Sequence, residues 1–514
     1  MRILIIQLAR LGDLYMSWPI IRAIKRKHPH ARIELLIRPL FKAAVEGLDV
    51  VDEIHELPTQ NILSPFFDIE TSTSPKSLGS AMQSIALFVS QVRRSGFQEI
   101  YNLTFSPLSS WLVSELAFGD CQVSGYTRNS DGTLALPDSV SAYFYAQVGI
   151  EKANRVHLTT LFAQLAGVEL DGSDWRLPSD VNLRFPLPDD YICIHVSASQ
   201  DFKSLTPEMW GRVLHKFCQL RSNESIVLLG SFMERAIAES IMQVIPRNRV
   251  VDLVGKTKLV ELFPILLGAK LLVGGDSAPM HVASFTQTRC LNISIGAVNF
   301  WETGPLSDTS YIARYPDVSQ VYPERIAHIA CDLIENKVSD ELVYRASGVC
   351  SYACEESQAE RFSWNLIEAI YLGGPFPVTE SLKFVQAVEQ LYQVNEVILA
   401  ELSRKGGLSE VGKNILSSSD DVIAKIYRIE PAMTLDIINR TIRAMCLEVE
   451  TQSAAVQNWQ IMAEARRPWW ILPTIVVGQV LVTSTWFAAN AVIRDLEKDG
   501  YVTVTRQVQQ ATVK

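Results

Sequence analysis

At 514 residues the chain exceeds what one ordinary hydrophobic core organises and points to about three domains. Its 48% hydrophobic and 20% charged residues exclude a disordered polypeptide, and a formal net charge of −9 excludes a general nucleic-acid binder, which needs a surplus of Lys and Arg to neutralise phosphates. The scattered cysteines do not form the dense framework of a small secreted domain, and Met1-Arg2 leads into an apolar run broken by Arg10 with no signal-peptide pattern, so a reducing, cytoplasmic location is expected.

Ile3–Ile6 is a continuous apolar run, a loop follows over 8–13, and Ile20, Ile21 and Ile24 recur at helical spacing between Tyr15 and Lys27. Ile33–Ile37 is apolar again. This is a strand-helix-strand unit, and a wholly apolar first strand suits a parallel sheet covered on both faces. Strands are predicted at Glu99–Leu103 and Gln122–Tyr126, helices at Ala81–Arg94 and Asn154–Leu165, and a Ser-rich loop with some helix over Asn61–Ser84. The Pro-rich passage Leu177–Asp190 interrupts all periodicity and reads as an interdomain linker. Beyond it, strands at 191–196, 225–229, 250–252, 271–273 and 290–295 alternate with helices at 207–220, 234–244, 259–267 and 279–285. Such βα repetition predicts a second doubly wound parallel domain, with ligands bound outside the C-terminal ends of the strands. From about residue 340 the pattern turns to long helical stretches, among them Glu380–Arg404 and Asp420–Glu450, with no strand series.

The sharpest local signal is Leu271-Leu-Val-Gly-Gly-Asp276-Ser277-Ala278-Pro279-Met280-His281. An apolar strand runs into Gly-Gly, then a capping Asp-Ser pair, then Pro in the first helical turn, which delivers a helix N-terminus to the sheet edge. Its unpaired N–H groups and dipole favour a phosphate, Ser277 adds a hydroxyl donor, and His281 lies in the first turn; otherwise this is an ordinary capped helix with a structural histidine.

Gly-Gly-Asp-Ser-Ala-Pro-Met-His resembles the signature of the glycosyltransferase family 9 heptosyltransferases, with Ala278 where that family usually has Gly. The resemblance extends back through Gly255-Lys-Thr257-Lys-Leu-Val-Glu-Leu, on to Gly304-Pro305, and to the opening strand with its Leu11-Gly12-Asp13 turn, covering roughly residues 1–330. It implies that Thr257, Asp276, Ser277, Ala278 and His281 bind a nucleotide diphosphate sugar. The passage His195-Val-Ser197-Ala-Ser199-Gln-Asp-Phe-Lys203 is similar to a family segment in which a lysine offsets charge on the departing diphosphate; Val196-Ser197 replaces Pro-Gly there and Leu205 replaces Trp. Ser197 and Ser199 are candidate hydroxyl donors. Glu234 in Gly230-Ser-Phe-Met-Glu234 resembles the family's Glu near the donor's ribose or sugar, although the dipole explains a Glu in a first helical turn equally well. Gly12 belongs to the acceptor-side loop, and Asp13 is expected to be the general base that takes the acceptor proton, with capping of the first helix as its structural alternative.

The fold class expected is α/β: a GT-B fold of two Rossmann-like doubly wound domains facing across a cleft, 1–185 for the acceptor and 186–338 for the nucleotide sugar, followed by an all-α region over 339–514. The activity expected is inverting transfer of a heptose or related sugar from ADP-heptose or a similar donor to a hydroxyl of lipopolysaccharide core or another envelope glycan. No cofactor and no metal are expected. Cys331, Cys350 and Cys354 offer three thiols without a second pair, and buried free thiols are the default. The uncharged run 468–493 reads as a buried helix, with peripheral contact at the inner membrane as the alternative, and the basic run Arg22–His28 reads as a solvated face or an attraction for anionic surfaces. The rival readings are a nucleotide-sugar epimerase or hydrolase on the same frame and a degenerate fold kept as a binding or assembly module.

Overall fold

The computed structural model describes residues 1–63, 78–129, 132, 134–148, 154–196, 204–296, 298–339, 341–345, 352–353 and scattered positions from 360 to 372. The expected helices beyond 372 and the run 468–493 lie outside the described residues. The chain forms two compact units, Met1–Phe88 with Asn154–Glu355, and Val89–Ala153 with Glu356–Lys514.

The first unit carries two parallel α/β arrangements. Arg2–Gln7 pairs in register with Arg32–Ile37, and that strand pairs with Glu53–Glu56, all parallel. The apolar residues Ile3, Leu4, Ile5 and Ile6 are fully buried, as the uninterrupted run requires of a strand covered on both faces. The helix between the first two strands is Leu11–Lys27, four residues longer at its start than the periodicity predicts, so that Gly12 and Asp13 sit in its first turn.

The second arrangement runs in the order 250–252, 225–229, 191–195, 272–274, 290–295, 310–315, 343–345, 352–353. The first six strands are parallel, and the last two add antiparallel at the edge. Counted in chain order, those six run 3-2-1-4-5-6, the doubly wound order whose switch point lies between Tyr191–His195 and Leu272–Gly274. Helices Pro207–Leu220 and Pro323–Ile334 cover one face, and Trp210, Leu214, Phe217 and Ile326 fill its core. Val196 and Leu205, which depart from the family pattern, belong to this core. The strands 310–315, 343–345 and 352–353 were not expected from the sequence, and the last two show that the chain past residue 340 is not purely helical.

An aromatic cluster joins the helix Leu11–Lys27 to the helices Leu262–Leu267 and Ala278–Thr286. Trp18 stacks on Phe263 with ring centroids 5.4 Å apart, and Phe285 meets Trp18 edge-on at 5.7 Å. Arg22, 2% exposed, lies 5.2 Å over Trp18 and donates to the carbonyls of Asp174 at 3.1 Å and Arg176 at 2.6 Å. Its neighbours in the basic run are engaged likewise: Arg26 pairs with Asp174, Lys25 donates to Ala31 O and Lys27 to Gly167 O. Arg22, Arg26 and Lys27 thus all contact the segment 167–176, with Arg22 buried and Arg26 and Lys27 still exposed, as a solvated face requires.

In the second unit, Glu99–Asn102 pairs parallel with Gln122–Ser124, and Thr127–Arg128 forms a short hairpin with Leu134–Ala135. The buried Asn102 side chain donates to Tyr126 O at 2.8 Å and to Ser109 Oγ at 3.1 Å.

Candidate functional site

A cavity of about 950 Å³ opens within the first unit, where the N-termini of two helices converge. Gly12 and Asp13 come from the first turn of Leu11–Lys27, and Asp276, Ser277, Ala278 and His281 from the start of Ala278–Thr286. Glu234 and Thr257 line it from the loops after the strands 225–229 and 250–252. The structure thus brings together Gly12, Asp13, Glu234, Thr257, Asp276, Ser277, Ala278 and His281. Ser197, Ser199 and Lys203 lie outside the described residues.

The two helix starts touch. A methyl group on Gly12 would meet Cδ2 and Nε2 of His281 at 2.7 Å, so only glycine admits the imidazole against this turn. His281 is 6% exposed. Burial lowers its pKa, with the Asp276 charge opposing, which keeps the imidazole neutral at pH 7.

Asp13 reaches the cavity yet is surrounded by protein, and burial raises its pKa. The Arg10 N–H, which donates to Oδ2 at 2.9 Å, and the Arg10 charge pull it back down, while the Asp276 charge adds to the rise. The hydrogen bond is the capping contact foreseen as the alternative role, so Asp13 caps its helix and faces the cavity at once.

Ser277 is the N-cap of the second helix; its hydroxyl donates to Gly275 O at 3.1 Å and makes no cap bond, which leaves the helix N–H groups without that side-chain acceptor. Ala278 is the first helical residue and is not among those with positive φ, so a methyl group there carries no backbone strain. The Glu234 carboxylate accepts from the Ser231 N–H at 2.5 Å, a capping contact in its own turn. Gly255, at φ +71°, donates to Gly230 O at 2.9 Å, and a Cβ on it would lie 3.0 Å from Phe232 Cα, which zips the two loops bearing Glu234 and Thr257 together.

Sequence reasoning missed Arg10, Phe41, Phe232 and Thr303, which also line the cavity. Thr303 donates to Asp276 Oδ1 at 3.0 Å, and only the nearby Gly304-Pro305 hinted at its segment. Cys331 is a core thiol of the helix 323–334, its pKa pushed up to about 11 by burial, while Cys350 and Cys354 lie outside the described residues. Among the described residues Glu34, Glu53 and His55 cluster closely enough to ligate a metal, but Glu34 is already paired with Arg2 at 2.8 Å and Arg32 at 3.3 Å, and none of the three lines the cavity.

A family model described as Glycosyltransferase family 9 (heptosyltransferase) matches residues 87–322. The resemblance to the family 9 heptosyltransferases carried by the Asp-Ser and Gly-x-Thr motifs is thereby borne out. It is similar to Lipopolysaccharide heptosyltransferase 3 of Escherichia coli (strain K12), 22% identical over 316 residues that cover 56% of this chain and 81% of that protein. Among solved structures it is similar to the ADP-heptose lipopolysaccharide heptosyltransferase II of E. coli, with TM-score 0.46, 15% identity and coverage of 65% and 99% of the two chains. It is also similar to a family 9 glycosyl transferase of Veillonella parvula DSM 2008, with TM-score 0.49, 14% identity and coverage of 65% and 98%. Among the described residues no helix is long and apolar enough to cross a membrane.

Proposed function

We propose that the chain transfers a heptose or related sugar from a nucleotide diphosphate sugar of the ADP-heptose class to a hydroxyl of lipopolysaccharide core or another envelope glycan, with inversion at the anomeric carbon. The observation that carries the reading is the convergence of two helix N-termini, a buried neutral imidazole and a carboxylate of raised pKa on one cavity. The helix Ala278–Thr286 would take the diphosphate on its N–H groups, with Ser277 and His281 as further donors. Thr257 and Glu234 would contact the nucleotide or sugar, and Asp276 the transferred sugar, by their hydroxyl and carboxylate groups.

In the transfer step Asp13 removes the acceptor's hydroxyl proton as that oxygen attacks the anomeric carbon from the face opposite the diphosphate. The bond to the nucleotide breaks, and the leaving diphosphate keeps the electron pair, its charge met by the helix N-terminus and by Lys203. These donors do the work a divalent cation would otherwise do, so the reading assigns no metal and no cofactor. It places the reaction in the cytoplasm, where a nucleotide sugar is available, with a glycan or glycolipid acceptor at the inner membrane.

The test is a thermal-shift panel of ADP-, UDP- and GDP-sugars followed by turnover with and without a lipopolysaccharide-core acceptor. Stabilisation by an ADP-sugar and acceptor-dependent release of ADP are expected. No stabilisation by any nucleotide sugar would leave a binding module, and release without acceptor would make the protein a hydrolase.

A further inference from the structure

We propose that Thr303 is a positioning residue for sugar transfer, its hydroxyl setting the orientation of the Asp276 carboxylate in the cavity. The inference rests on the donor-site reading above and names how that site is held in shape.

Thr303 Oγ1 donates to Asp276 Oδ1 at 3.0 Å, across 27 positions of sequence and between separate loops. The same hydroxyl lies 3.4 Å from Asn299 O, the contact of an ordinary helix-end threonine. A hydroxyl has one proton, and a carboxylate 0.4 Å nearer is the better acceptor. Holding one carboxylate oxygen fixes the rotation of the group, and with it the direction of the other oxygen.

The hydroxyl is itself fixed, because both ends of the turn Phe300–Thr303 are tied to buried groups. Asn299 caps the turn at Trp301 N, 3.2 Å away, and donates through Nδ2 to Asn154 O at 2.9 Å. Asn154 Nδ2 donates in turn to Glu302 Oε1 at 3.1 Å, and His157 Nε2 meets Gly304 O at 3.0 Å. Phe300 and Trp301 are anchored in a small core with Ile312 and Val343. Thr303 therefore stands on a bracket built from the 154–157 and 299–304 segments, and Asp276 leans on Thr303.

The chemistry of the two faces says what the bracket serves. An ionised carboxylate only accepts hydrogen bonds, and so does a diphosphate; Asp276 is matched to sugar hydroxyls, which donate, while the helix N–H groups are matched to phosphate. With Asp276 on the transferred sugar rather than on the ribose, whose hydroxyls also donate, losing the Thr303 contact should be felt in the sugar and not in the nucleotide.

Thr303→Val keeps the branched shape without the hydroxyl, and Thr303→Ser keeps the hydroxyl without the methyl group. Titration calorimetry with ADP and with ADP-heptose, alongside melting temperatures, reads the split. Thr303→Val should leave ADP affinity within about twofold and weaken ADP-heptose by about five- to tenfold, and Thr303→Ser should stay close to wild type for both ligands. An unaltered ADP-heptose affinity in Thr303→Val, an equal loss for ADP, or a Ser variant as weak as the Val variant overturns the positioning role while leaving the donor site standing. A wild-type protein that binds neither ligand overturns the donor-site reading and this inference with it.

Discussion

The contact between Gly12 and His281 makes Gly12→Ala an informative single change. The new Cβ would sit 2.7 Å from two ring atoms, where ordinary van der Waals contact begins at 3.4 Å, so the ring or the turn must yield by about 0.7 Å, the difference of the two. His281 is 6% exposed and lies on a helix buried throughout from Pro279 to Thr286, so neither partner has solvent to retreat into on the packed side. Overpacking of this kind costs about 1–3 kcal/mol, which lowers a melting temperature by roughly 3–9 °C in a domain of this size. The same displacement moves Asp13, the next residue, relative to the donor helix, and a shift approaching 1 Å between reacting groups costs about 10²-fold in turnover. Differential scanning fluorimetry and an ADP-release assay measure both. The double variant Gly12→Ala, His281→Ala should recover most of the lost stability without recovering turnover. A Gly12→Ala protein with wild-type melting and turnover, or a double variant whose stability losses simply add, would refute the claim that these two helix starts are locked together.

Replacing Ser277 and His281 together by Ala should weaken ADP binding at least several-fold by calorimetry, since a hydrogen bond to a charged group is worth about 1.5–3 kcal/mol; unchanged binding removes the phosphate site from this helix. Arg22→Met leaves two carbonyls without their buried donor and removes the cation from the Trp18 face, so the melting temperature should fall by roughly 5 °C or more with donor affinity intact. Burial holds the Asp13 pKa above 3.8, so its ionised form opposes folding at neutral pH, and that cost disappears as pH falls through the folded-state value and below 3.8. Asp13→Asn should therefore be at least as stable as wild type at pH 7, and chemical denaturation across pH should show the gap closing in acid; a gap that widens in acid contradicts the assigned direction.

The parts of the site that were legible in the sequence are those written locally. Leu271 to His281 spells strand, glycine turn, cap and helix within eleven residues, and each signal acts on its immediate neighbours. The opening strand was legible because four consecutive buried residues have no polar interruption. What stayed hidden is held by distant partners. Glu53–Glu56 reads Glu-Ile-His-Glu and looks like loop, and it becomes a strand because parallel pairing with Arg32–Ile37 seats His55 on the buried Glu34 at 2.7 Å. Asn154 was expected to open a helix, and instead it is buried in contacts to 299–302 while the helix begins at Leu158. Thr303 has no mark of its own beyond the neighbouring Gly304-Pro305, since its meaning comes from Asp276 in another loop. The burial of Arg22 in the basic run stayed hidden for the same reason, because the carbonyls it donates to lie 152 and 154 positions away.

The central claim is that this cavity transfers a glycosyl group with Asp13 as the base, and Asp13→Asn tests it most directly. An amide oxygen can still accept the Arg10 N–H and cap the helix, but it cannot take the acceptor's proton at neutral pH. Acceptor-dependent release of ADP from ADP-heptose, measured at pH 7 on wild type and variant after ADP affinity has been matched by calorimetry, should fall by about 10²–10⁴-fold. A variant that binds ADP normally and keeps more than about a tenth of wild-type turnover would contradict the assignment.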